Sequence, residues 1–187
     1  MSGVPTPAEG FRAAADAFGR RVEGVPVGAW DAPAPCAGWV ARDVVGHLVD
    51  WTSAFLRGGA GVELPAGPPW REDPAGAWAA WRDGVQALLD DPATPGRVLR
   101  NPHTGDVALD QAVERFVTPD VFLHTWDLAR ATGQDERLDE ARCAQLLAGM
   151  EPFDAALRSS GHYGPRTPVA EGADAQTRLL AFIGRRP

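Results

Sequence analysis

The chain has 187 residues, 18 basic against 25 acidic, for a net charge of −7, and every basic residue is an arginine. The missing lysine excludes P-loop phosphate binding, Schiff-base and pyridoxal-phosphate chemistry, serine–lysine hydrolysis and the protein-kinase mechanism. The acidic balance argues against nucleic acid, no apolar run approaches the length of a membrane helix, and the first residues lack a secretory apolar region, so the expectation is one soluble cytoplasmic domain over residues 1–187.

Thr6-Pro7-Ala8-Glu9 opens the first helix, with a capping residue, proline at the first helical position and glutamate three residues after the cap. Phe11, Ala14, Ala15, Phe18 and Val22 follow at helical spacing, and Gly24 and Pro26 end the run. The segment Trp30 to Trp39 carries Pro33, Pro35 and Gly38 and reads as a rigid loop pinned to the core by its two tryptophans. A second helix is expected from about Ala41 to Arg57, with Val44, Val45, Leu48, Trp51 and Leu56 inward and Gly58-Gly59 as its stop. After a proline-rich linker, Asp73-Pro74 starts a third helix that buries Ala77, Trp78, Trp81, Val85 and Leu88 and closes at Asp91-Pro92.

Residues 97–100 and 106–109 form the one plausible strand pair. A fourth helical region covers about Asp110 to Thr132, where Pro119 forces either a kink or a restart with Thr118 as a new cap. A fifth spans about Asp139 to Leu157 with a disturbance near Pro152, and a short helix from Ala173 to Ile183 ends the chain. There are no repeats and no strand–helix alternation, so the fold class is all-α, a helical bundle with at most one short hairpin.

Cys36 and Cys143 lie far apart with no Cys-x-x-Cys pairing, which excludes a disulfide framework and a cysteine-rich zinc site; each reads as a small buried hydrophobe. Of the four histidines, His103 and His162 sit in turn-like segments, while His47 and His124 sit in helical patterns beside large apolar neighbours. Four helical residues turn the side-chain direction by about 400°, so Asp120 and His124 project from one face, one turn apart. Such a pair is commonly a simple polar contact, but it can also hold one divalent ion, with His47 as the natural third donor. Asp127 shares that face and could orient a ligand or instead pair with Arg130; Asp50, three residues past His47, carries the same ambiguity. Trp51 and Trp126 read as core, and Arg57, Arg82 and Arg130 as arginines able to meet an acidic group.

The segment Trp30…Pro35-Cys36-Ala37-Gly38-Trp39 through Asp43-Val44-Val45-Gly46-His47-Leu48 resembles the loop and first histidine helix of actinobacterial DinB-like metal-binding proteins, a group related to the N-terminal domain of mycothiol-dependent maleylpyruvate isomerase. Asp120-Val121-Phe122-Leu123-His124 with the following Asp127-Leu128 is similar to that group's second signature, and Ala173 to Arg185 resembles its C-terminus. The resemblance implies a four-helix bundle with a divalent metal, commonly zinc, on His47, Asp120 and His124. It further implies a mycothiol-dependent transferase or isomerase acting on a small molecule, the alternative being a non-catalytic metal-containing binding or stress-related protein. Two departures stand out: Asp120 where the isomerase has glutamate, and Val40 where threonine is usual before the first metal helix. Expected partners are a small-molecule substrate or thiol cofactor; a homodimer is compatible with the apolar helix surface, whereas nucleic acid and membrane are not expected.

Overall fold

The computed structural model describes residues 5–102, 105–161 and 163–187. Helix α1 (Pro7–Glu23) starts as its sequence directs: Thr6 Oγ1 accepts from the Glu9 backbone, and the Glu9 carboxylate accepts from the Thr6 N–H. Helix α2 (Ala41–Ala60) has no side-chain hydroxyl at its cap; the Asp43 carboxylate instead accepts from the Val40 N–H at 2.8 Å, which supplies half of a capping box from inside the helix. Helix α3 (Pro74–Asp90) is capped by Asp73, whose carboxylate accepts from Gly76 N–H.

Two expectations about chain breaks need correcting. Gly58 and Gly59 do not stop α2, which runs on to Ala60 and ends at Gly61 in the left-handed region, φ 62°. The reason for glycine at 59 lies outside the helix. The hairpin β1 (Val98–Leu99) and β2 (Val107–Ala108) presses on that point, a Cβ there would stand 2.7 Å from Leu99 Cγ, and Arg100 N–H donates to the Gly59 carbonyl. The strands pair antiparallel, Val98 opposite Ala108 and Leu99 opposite Val107, within the expected range.

Pro119 does not recruit Thr118 as a cap: the residue before α5 is Val117, in helical conformation and with no side-chain cap bond. Helix α4 (Leu109–Ala112) passes into a π-helical turn over Val113–Val117, and α5 (Thr118–Thr132) continues with Pro119 in its first turn. The wider turn absorbs the proline, which has no N–H to return to the preceding turn. Helix α6 (Glu140–Met150), a 3₁₀ turn at Glu151–Phe153 and α7 (Asp154–Ser159) follow, so the disturbance falls at Pro152 as read from sequence; α8 (Ala175–Phe182) ends the fold.

Helices α1, α5, α2 and α3 pack around one core in that cyclic order, giving an all-α, DinB-like bundle, while α6 and α8 pair beside it. The core is aromatic on the α1–α3 side, where Phe18 meets Trp78 at 4.4 Å between ring centroids and Phe11 meets Trp81 edge-on at 5.8 Å. Helix α5 is buried on every side from Val121 to Ala129, so its polar residues in that stretch must find partners inside the protein.

Candidate metal centre

Those polar residues are His124, Thr125 and Asp127; Thr125 Oγ1 donates to the Val121 carbonyl at 2.9 Å, and the other two meet side chains from elsewhere in the chain and from α5 itself. On one side of the His124 ring, Nε2 stands 3.5 Å from Asp120 Oδ1, the contact one helical turn makes available. Helix α2 brings His47 to the same carboxylate, with Nε2 3.1 Å from Asp120 Oδ2, and Trp51 Nε1–H donates to that oxygen at 2.8 Å. One donor atom from each of His47, Asp120 and His124 can be chosen so that all lie within 4.8 Å of one another. The two histidine rings meet edge to face at 4.9 Å, and Trp39 from the rigid loop lies against both, at 5.0 Å from His47 and stacked at 5.8 Å on His124.

On the other side of the ring, His124 Nδ1 is 2.9 Å from Asp127 Oδ2. Asp127 in turn accepts two hydrogen bonds from Arg185, at 2.8 Å from Nε to Oδ1 and 2.9 Å from Nη2 to Oδ2. Arg185 Nη2 also reaches Cys36 Sγ at 3.2 Å, and that sulfur lies 3.6 Å from Asp127 Oδ2. The chain thus assembles loop, α5 and C-terminal segment around one buried carboxylate.

The two sides differ in access. His47 and Asp120 keep 30% and 22% of their side-chain surface, whereas Asp127 keeps 1%. Burial alone would lower the His124 pKa, but the Asp120 carboxylate and the bonds to Asp127 and Cys36 outweigh it and raise it to about 10. Burial pushes Asp127 up, yet the bonds from His124 and Arg185 hold it at about 2. Asp120 follows the same pattern: burial raises it, and His124, His47 and Trp51 together bring it below the ordinary carboxylate range.

The cluster has the chemistry a divalent ion requires. Two imidazoles and a carboxylate are zinc-type donors, and two donors about 2.0–2.2 Å from one tetrahedral ion lie about 3.3–3.6 Å apart. The separations of 3.1 and 3.5 Å are close to that range without rearrangement of the backbone. Asp127 stands where a carboxylate would fix the proton on Nδ1 and turn the Nε2 lone pair toward Asp120 and His47.

The remaining residues singled out from sequence fall elsewhere. Asp127 pairs with Arg185 and not with Arg130, which binds Glu136 at 2.7 Å and lies over Trp126. Asp50 is exposed and accepts from Trp70 Nε1 at 3.0 Å, away from the histidines. Arg82 pairs with Asp83, and Arg57 lies 3.9 Å from Glu63. Trp126 is core, but Trp51 is not merely core, because its indole N–H holds Asp120. Cys143 is a buried hydrophobe with its thiol pushed up to about 12 by burial first and then by Glu140, Asp139 and Asp174. Cys36 is different: half-buried and polar in its contacts, it joins the cluster. Its loop position was visible in the sequence; its contact with Arg185 had no sequence signal. His103 and His162 lie outside the described residues.

Fold and cluster together define a class, a DinB-like helical bundle with a histidine–carboxylate cluster between two of its helices. The chain belongs to the mycothiol maleylpyruvate isomerase N-terminal domain family, which matches residues 11–129. Two relatives, uncharacterized proteins from two strains of Mycobacterium tuberculosis, are each 31% identical over 181 residues, covering 92% of this chain and 93% of the relative. No solved structure matches the chain. His47, Asp120, His124, Asp127 and Cys36 all fall inside the family's span, and Arg185 falls outside it.

Proposed function

We propose that this protein is a divalent-metal protein, with zinc the favoured ion, held by His47, Asp120 and His124, and that it serves mycothiol-dependent transfer or isomerisation of a small molecule. The observation that carries the metal reading is the convergence of three donors from α2 and α5, with His47 and His124 at 3.1 and 3.5 Å from the two oxygens of one carboxylate. The mycothiol part rests on membership of a family whose description names mycothiol.

A bound divalent ion supplies Lewis acidity, able to hold a thiol as thiolate or to polarise a substrate oxygen. The protein's own groups do the rest. Trp51 holds one oxygen of Asp120 in place, and Asp127 orients His124 so that Nε2 faces the donor set. Trp39 covers both rings, which limits water on that side, while the partial exposure of His47 and Asp120 leaves an approach for a ligand. Burial raises the pKa of the Tyr163 hydroxyl first and the Asp120 carboxylate second, against the lowering effect of Arg185 and Arg158.

The test is elemental analysis of untagged protein with His47→Ala, Asp120→Ala and His124→Ala, followed by calorimetric titration with mycothiol. One ion in the wild type, lost in each variant, and ion-dependent mycothiol binding support the proposal. An ion-free wild type that still takes none from added zinc overturns it. An ion without mycothiol binding leaves a metal-containing bundle and removes the thiol chemistry.

A further inference from the structure

His124 belongs to two donor sets, not one. Its Nε2 side belongs with His47 and Asp120; a second group, Cys36, His124 and Asp127, likewise offers one donor atom each within 4.8 Å. By ligand type the second set is the stronger of the two for a soft divalent ion, because it contains a sulfur. Its carboxylate is also the more deeply buried, 1% against 22%. What distinguishes them is a cation that only one set already holds.

Arg185 Nη2 is 3.2 Å from Cys36 Sγ and 2.9 Å from Asp127 Oδ2, so this nitrogen sits between two of the three donors. An ion bound there at about 2.3 Å from sulfur and about 2.0–2.2 Å from oxygen would crowd the guanidinium, placing a divalent cation and a guanidinium on the same carboxylate and thiolate, an excess of positive charge. The guanidinium is held by its two bonds to Asp127, and the backbone that carries it is pinned as well. The Arg185 backbone N–H donates to the Leu180 carbonyl at 2.8 Å, and the Arg185 carbonyl accepts from Thr167 Oγ1 at 2.6 Å. The preceding Gly184, at φ 88°, presses on Gly164 so closely that a Cβ would stand 2.9 Å from the Gly164 backbone. Arg158 then ties the same turn together through the carbonyls of Gly164 and Phe182.

We propose that Arg185 is a built-in cation that closes the Cys36–His124–Asp127 set, so that an ion is accepted only on the His47–Asp120 side and Asp127 remains free to position His124. This rests on the metal reading above. Arg185 is thus a positioning residue, and Cys36 a potential ligand that the wild-type fold withholds. Removing the guanidinium leaves Asp127 buried with His124 as its one remaining charged partner and two hydrogen bonds lost, a state that a second metal ion would relieve. A cleft of about 470 Å³ lined by Pro35, Trp126, Arg130, Arg185 and Arg186 reaches Arg185 from outside.

Cobalt(II) titration tests this, because a thiolate ligand produces a near-ultraviolet charge-transfer band; as the second ion binds, the Cys36 thiol proton and the His124 Nδ1 proton pass to buffer and the imidazolate bridges the two ions. Wild type and Arg185→Lys are expected to take one equivalent with no such band. Arg185→Met, which keeps the stem and drops the charge, is expected to take a second equivalent with the band, and Arg185→Met/Cys36→Ser to lose both. Cys36→Ser alone, which leaves Arg185 paired with Asp127, is expected to bind one equivalent with wild-type affinity. A thiolate band in the wild type, or loss of affinity in Cys36→Ser, overturns the inference while leaving a metal protein. So does a folded Arg185→Met that takes one equivalent and shows no band. A wild type that takes no cobalt overturns the metal reading itself.

Discussion

The two sides of the His124 ring make an instructive contrast. Toward Nε2, two helices of the bundle meet at a partly exposed carboxylate held by uncharged or titratable groups, His47, His124 and the Trp51 N–H. Toward Nδ1, a buried carboxylate is matched by a permanent cation, Arg185, and sealed by loop and tail. A site that exchanges a ligand needs the first kind of surroundings, since a fixed counter-charge would compete with the incoming ion. A side that only orients needs the second, because a fully paired carboxylate does not move. One imidazole with two distinct nitrogens joins the two environments.

The contrast breaks most severely if Asp127 is removed. Asp127→Ala leaves the buried His124 ring and the half-buried Arg185 without their shared carboxylate, and stability should fall by about 3–5 kcal/mol. Any metal affinity should also fall about 10–100-fold, as it does when a carboxylate behind a ligating histidine is lost. Chemical denaturation and competition with a chromophoric chelator read the two effects separately.

A sharper, intermediate effect is expected from pH in metal-free protein. His124 is raised to about 10, so its contribution to stability is complete below its unfolded value near 6.5 and is lost as pH climbs through about 10. Asp127, held at about 2, works in the opposite direction: its contribution is present above its unfolded value near 3.9 and is lost as pH falls toward 2. The stability difference between wild type and His124→Gln, measured by denaturant unfolding in the presence of chelator, should therefore shrink steadily from pH 6.5 to 10. A difference that stays constant over that interval would place the ring's stabilising proton elsewhere.

The smallest effect should come from Trp51→Phe. A smaller aromatic ring replaces the indole and the N–H to Asp120 is lost; a hydrogen bond to a charged acceptor is worth about 1.5–3 kcal/mol, and the lower end applies because Asp120 is partly exposed. Metal affinity by chelator competition should weaken modestly, with no change at Asp127 in the chemical shifts of the Arg185 side chain. A disturbance on the Arg185 side would show that the two halves are not insulated from one another.

Much of the helical frame was legible because its signals are local. Thr6-Pro7 and Asp73-Pro74 announce helix starts through caps that satisfy the first orphan N–H groups, and Pro152 marks a break within three residues of where the chain changes helix. The misread points depend on distant chain. Gly59 looked like a stop because glycine is a poor helix former, but the hairpin 40 residues later presses against it and the helix continues past it. Thr118 looked like a cap, but the π turn over Val113–Val117 had already taken up the distortion that Pro119 introduces.

The cluster divides in the same way. Asp120 and His124 could be paired from their spacing, because one helical turn dictates that they meet; Asp127 was placed on their face by the same rule, with its partner undecided. His47 came in as a third donor with helical context but no geometric necessity, and only the packing of α2 on α5 brings its ring to 3.1 Å from Asp120. The contact between Cys36 and Arg185 spans 149 positions and carried no signal at all, so Cys36 read as a hydrophobe and Arg185 was not among the arginines considered.

By itself, then, the order of residues determined where the capped helices begin and which side chains share a helical face, since these follow from backbone hydrogen bonding and a fixed turn angle. Tertiary packing decided which faces confront each other, and with that which buried charge meets which. Only once loop, α5 and tail had closed on Asp127 did one nitrogen of His124 face a fixed cation and the other an approachable carboxylate, because pairing of buried charges acts through space over a few ångströms and is indifferent to distance along the chain.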